Sequence, residues 1–130
     1  MATLEKYTAP GVFDPPGYSQ AIKVTGAQTI LFLAGQVAYT ADGGAAHRGD
    51  FTAQARAVFG AVKALVEAGG GTLDNVVKIT TYVTDIANRP AFRTVRDEFF
   101  GKKGPASTMI EVSKLAHPDY LIEIEAIAIV

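Results

Sequence analysis

The strongest constraint on the fold of this chain is its final stretch, Tyr120-Leu-Ile-Glu-Ile-Glu-Ala-Ile-Ala-Ile-Val130. Alternate residues of a strand point to opposite faces. One face here is Ile122, Ile124, Ala126, Ala128 and Val130, with no polar side chain; the other is Leu121, Glu123, Glu125, Ile127 and Ile129. A strand apolar on one face and mostly apolar on the other belongs inside a sheet that is covered on both sides. Glu123 and Glu125 break that pattern, about 7 Å apart on one face. Neighbouring carboxylates in a half-covered setting repel unless cations or donors reach them. The pattern admits two readings: both reach solvent or pair with Lys or Arg, or one is aimed into a pocket.

The rest of the chain supplies the partners of this strand. Ser107 to Ser113 reads as a second C-terminal strand, Ala21–Thr25 and Thr29–Ala34 as two strands joined by Gly26-Ala-Gln28, and Leu73–Thr84 as another. Residues 2–8 suit a short edge strand, and Gly35 marks a bulge or bend. A helix starts at Asp50 as N-cap, with Phe51, Ala55, Val58, Phe59, Val62, Leu65 and Val66 at helical spacing and Gln54, Arg56, Lys63 and Glu67 on the other side. The Gly69-Gly-Gly71 run ends it. Asn88 opens a second helix, with Pro90 in its first turn and Phe92, Val95 and Phe99 as its apolar stripe. Between Asp14-Pro-Pro-Gly17 and the strands, Tyr18 sits at the mouth of a loop, where it could be a packing lid or a ligand contact. The order predicts one domain over 1–130, an α+β fold with a mixed sheet and both helices on one face. Two helices cannot cover both faces of such a sheet, so other subunits are expected on the second.

Composition removes several functions. With 130 residues and 48% hydrophobic content, the chain can bury a real core. It has no cysteine, which excludes thiol chemistry, disulfides and Cys-ligated zinc. His47 and His117 lack ligand spacing, so no metal is expected. The net charge of −1 gives no electrostatic footprint for nucleic acid. The N-terminal residues lack a signal-peptide pattern and no apolar run approaches a membrane span, so a cytoplasmic protein is expected.

Taken together, Gly17-Tyr18-Ser-Gln-Ala21, Leu33-Ala-Gly-Gln36, Asp74-Asn-Val-Val-Lys-Ile-Thr80, Phe99-Phe100, Pro105-Ala106 and Ile122-Glu-Ile-Glu-Ala-Ile-Ala128 resemble the Rid (reactive intermediate deaminase) superfamily. The resemblance implies a chorismate-mutase-like fold and a homotrimer whose sheets form a central barrel, with ligand clefts between subunits. It also implies cofactor-free hydrolysis of small enamines and imines to a carbonyl compound and ammonia. In that family an arginine in a Pro-Ala-Arg-Ser motif holds the substrate carboxylate. A glutamate on the last strand and a loop tyrosine position water, aided by a serine before Gly-Gln and an asparagine on the second helix. By resemblance, Tyr18 and Glu123 match the tyrosine and the glutamate. Ser107 stands in place of the arginine, Ala34 in place of the serine, and Arg93 in place of the asparagine.

A neutral hydroxyl cannot replace a guanidinium that binds a carboxylate bidentately. The loss argues against simple 2-imino acids as substrates. The first functional expectation is a hydrolase or deaminase of another small enamine or imine. In it Glu123 delivers water, Tyr18 shapes the pocket, Ser107 with its neighbours Ala106 and Thr108 holds the ligand, and Arg93 supplies a cation. The second is a small-molecule-binding or regulatory trimer without turnover. The third, an RNA-acting protein, is disfavoured by the charge.

Overall fold

The computed structural model describes residues 2–27 and 29–130, so Gln28 of the expected Gly26–Gln28 linker lies outside the described residues. The strands are β1 (Thr3–Tyr7), β2 (Gly17–Ser19), β3 (Ala21–Thr25), β4 (Ile30–Gln36), β5 (Val76–Val83), β6 (Lys103–Glu111) and β7 (Ile122–Ile129), and the helices are α1 (Phe51–Ala68) and α2 (Arg89–Phe100). Five strands form the main sheet in the order β2-β6-β5-β7-β4, while β1 and β3 pair separately as an antiparallel ribbon. The sheet is mixed: β6 runs parallel to β2 and β5, and β7 is antiparallel to β5 and β4. The architecture is the expected α+β fold. Its central strand is β5; β6 and β7 flank it and do not pair with each other. Although β3 and β4 are consecutive, they join different sheets.

Both helices lie on one face of the main sheet. Val58, Phe59 and Val62 of α1 and Phe92 and Val95 of α2 pack with Ile79, Val83, Ile122, Ile124 and Ala126 of the strands. Asp50 caps α1 as expected, its carboxylate accepting from Ala53 N at 3.0 Å. At the second helix a short 3-10 turn, Ile86–Asn88, is capped by Asp85, and Asn88 makes no side-chain cap hydrogen bond. Phe59 joins the helices, its ring centroid 5.7, 5.3 and 5.8 Å from those of Phe92, Phe99 and Phe100. Such pairs add stability beyond their buried area and fix where α2 sits.

Gln54 departs from the reading of α1. It is fully buried rather than on the polar side. Its amide nitrogen donates to the carbonyls of Ala46, His47 and Asp119, and its oxygen accepts from Leu121 N at 2.9 Å.

The opposite sheet face has no helix over it. Phe32 is 76% exposed, Ile30 50% and Ile110 42%. Large apolar side chains are thus left open to solvent on this face.

On the covered face, Thr81 is fully buried, and its hydroxyl has no hydrogen-bond partner among the described residues. An unpaired buried hydroxyl costs free energy that a methyl group of the same shape does not. Thr81→Val is expected to stabilise the fold by about 1 kcal/mol, read as a raised denaturant midpoint at unchanged slope. A lowered midpoint would show that the hydroxyl is bonded in solution.

Candidate active site

The Pro/Gly loop that begins the site is held by the sheet edge. Lys103 Nζ donates to Asp14 Oδ1 at 2.6 Å and to Pro15 O at 2.7 Å. Gly17 N donates to Lys102 O at 2.8 Å, and the buried Ser19 hydroxyl donates to Gly104 O at 2.8 Å. These bonds turn the residues after the prolines into β2 and fix Tyr18 beside α2. Between β2, β6 and α2 opens a cavity of about 700 Å³, lined by Tyr18, Arg93 and Ser107. Three of the expected site residues therefore converge.

The cavity wall supplied by α2 is strongly cationic. Arg89, Arg93 and Arg96 recur at i, i+4 and i+7, so they share a helix face, and all three line the cavity. Arg96 is only 7% exposed. Its Nε donates to Asp97 Oδ1 at 3.1 Å, and its guanidinium carbon lies 6.0 Å from the centroid of the Tyr18 ring. Gly17 makes this possible: at φ +84°, an added Cβ would lie 2.0 Å from Arg96 Nη2.

Glu123 is elsewhere. Its register partner on β5 is Tyr82, whereas Ser107 is opposite Ile79, one residue out of phase and so on the helix-covered face. Glu123 is half-buried on the other face, against Gly35, where an added Cβ would lie 2.3 Å from its Oε2. The expected bulge at Gly35 is present as a register shift between Leu33 and Gln36.

Ala34, Ala106 and Thr108 also fall outside the cavity lined by Ser107. Ala34 is exposed on β4. Ala106 is opposite Lys78, and Thr108 accepts from Lys78 Nζ at 2.6 Å. Burial pushes the Lys78 ammonium down from its ordinary pKa, and the nearby Glu125 carboxylate partly offsets this. Glu125 is occupied by the Tyr82 hydroxyl, which donates to it, and that bond holds the Tyr82 pKa above its ordinary value. The two glutamates thus differ: Glu125 is paired with Tyr82, and Glu123 lies over a glycine. The sequence reading did not single out Arg96, Lys78 or Tyr82. The arginine spacing was visible, but not which face of α2 meets the Tyr18 loop.

The family described as endoribonuclease L-PSP matches residues 13–130. A RutC family protein of Pyrococcus horikoshii is 43% identical over 111 residues, spanning 85% of each chain. The 3-aminoacrylate deaminase RutC of Acinetobacter baylyi is 32% identical over 114 residues, 88% of this chain and 90% of its own. A crystal structure of a Rid-family protein of unknown function from Yersinia pestis superposes with a TM-score of 0.86 at 30% identity, covering 98% of both chains. With the family match covering nearly its whole length and relatives above 30% identity, this chain belongs to the Rid (endoribonuclease L-PSP) superfamily.

Proposed function

We propose that this protein is a homotrimeric deaminase that hydrolyses a small enamine or imine, without metal or cofactor, in clefts between subunits. One observation carries the reading: Tyr18, Arg93 and Ser107 share a cavity on one sheet face, while Glu123 lies on the other. A single chain does not join them, so the carboxylate at each cavity comes from a neighbouring copy. The open apolar face around Phe32 and Ile30 supports assembly. The likeness to a 3-aminoacrylate deaminase supports the chemistry.

In this mechanism the substrate reacts as its imine tautomer. The neighbour's Glu123 takes a proton from water as the water oxygen bonds to the imine carbon. The carboxyl returns that proton to nitrogen, giving a neutral carbinolamine; the same group then carries the carbinolamine's hydroxyl proton to nitrogen as the C–N bond breaks, so that ammonia leaves and the carbonyl compound forms. Tyr18 and Ser107 shape and hold the ligand, and Arg93 contributes positive charge. The test is ammonia release from 2-aminoacrylate and from 3-aminoacrylate, each generated in situ. Acceleration of the 3-amino compound supports the reading, and acceleration of neither, at any enzyme concentration, defeats it for aminoacrylates.

The serine at 107 favours a second reading, a metabolite-binding trimer without turnover, since the family's strand arginine is missing. Stoichiometric binding of an aminoacrylate analogue with no ammonia released would favour it.

The assembly has its own test. Wild type is expected to show the mass of three chains by light scattering at micromolar concentration. Phe32→Asp, which puts a charge on the open face, is expected to show the mass of one. A wild-type monomer would remove the between-subunit site.

A further inference from the structure

We propose that Arg96 is the carboxylate anchor of this cleft, so that the anion grip lies on α2 and not on β6. The proposal rests on the deaminase reading for the cleft's purpose, but it makes a binding claim that stands or falls separately. An arginine whose side chain is 9% exposed is costly to bury unless an anion meets its charge. Its one hydrogen-bonded partner among the described residues, Asp97, has a side chain 52% exposed and engages only Nε. The two terminal nitrogens are left for another acceptor, and Arg96 lines the cavity. Two parallel N–H donors at the end of a planar group match the two oxygens of a carboxylate.

The surroundings hold the group in that role. The Tyr18 ring packs beside the guanidinium, and Gly17 leaves the space that Nη2 fills. Asp97 fixes its rotation through Nε. Arg89 and Arg93, two turns and one turn before Arg96, add positive charge to the same wall, against the single carboxylate of Asp97. Even with a Glu123 carboxylate delivered from a neighbour, the wall retains an excess of positive charge. The cleft is therefore built for a substrate that carries a carboxylate. Because the anchor stands on the helix, that carboxylate points toward α2 and away from the strand position where Ser107 now sits.

The test uses an isosteric pair, crotonate and crotonamide, titrated into the intact protein and followed by NMR shifts of the Tyr18 and Ser107 amides. Crotonate is expected to bind at least about tenfold more tightly than the amide, as a charged bidentate hydrogen bond implies. Arg96→Lys keeps the charge but not the fork. It is expected to erase most of that ratio while thermal melting confirms the fold. Arg93→Ala is expected to lower the ratio by a smaller factor. A purely structural Arg96 would weaken both ligands equally and leave the ratio intact, which overturns the proposal. Equal binding of the two ligands by wild type, or no binding of crotonate, overturns it too. None of these readouts involves turnover, so a protein that binds crotonate through Arg96 but releases no ammonia keeps this assignment and loses the deaminase reading.

Discussion

Gln54→Leu is expected to lose roughly 3–5 kcal/mol of stability, through several part-buried backbone groups deprived of partners at once. The leucine matches the glutamine in size, so packing changes little. What disappears are the donors to the carbonyls of Ala46, His47 and Asp119 and the acceptor for Leu121 N. Those bonds are part-buried, and on the side of the fully buried Gln54 the carbonyls and the amide would face only leucine carbon. The loss also reaches the site. Gln54 ties the segment before α1 to the residues that lead into β7, and Glu123 is the second residue of that strand. Gln54→Glu is a sharper control, because it keeps the acceptor for Leu121 N but offers the three carbonyls an anion. It is expected to be at least as destabilising at neutral pH. The check is chemical denaturation of wild type and both variants at one protein concentration, since stability depends on concentration in an assembling protein. A loss below about 1 kcal/mol in Gln54→Leu would mean that the amide's bonds are replaced by water.

Gln54 also shows where sequence reading loses its hold. Its position, three residues after Phe51 and four before Val58, lies on the buried stripe of α1. Spacing placed it inside, but its polarity argued for the outside. Polarity misled because the partners, Ala46, Asp119 and Leu121, come from loops whose approach no local pattern encodes. By contrast, β7 was legible because period-two alternation is a purely local property, and its two apolar faces already required cover on both sides. Gly35 was legible as a break in an apolar strand, but its purpose, room for Glu123, needed the register of β4 against β7. The resemblance placed Tyr18, Ser107, Arg93 and Glu123 in one site. It could not show that they lie on two faces of one sheet, because face assignment depends on the pairing of β5 with both β6 and β7. Arg96 was missed for the same reason. Its spacing from Arg89 and Arg93 is plain, but its burial comes from the Tyr18 loop folding onto α2.

Glu123→Gln is expected to lower kcat for ammonia release by about 10²- to 10⁴-fold, the usual span of a lost general acid–base group, while binding of a substrate analogue changes little. The amide keeps the shape of the side chain and cannot shuttle the proton from water to nitrogen. Gly35→Ala reaches the same carboxylate without altering it. A Cβ at that position would lie 2.3 Å from Oε2 and 2.7 Å from Cδ, so the carboxylate has to move. Its kcat is expected to fall at least about tenfold, with melting within a few degrees of wild type. Mixing variants then asks which subunit provides the glutamate. Glu123→Gln and the double variant Tyr18→Ala/Arg93→Ala should each be inactive alone. Unfolded and refolded together in equal amounts, they should recover about one quarter of wild-type activity, because in a head-to-tail ring one cleft in four then combines an intact cavity with an intact neighbouring carboxylate. A site contained within one chain recovers nothing on mixing. That result would require Glu123 to reach the cavity from its own sheet, against the register that puts it and Ser107 on opposite faces.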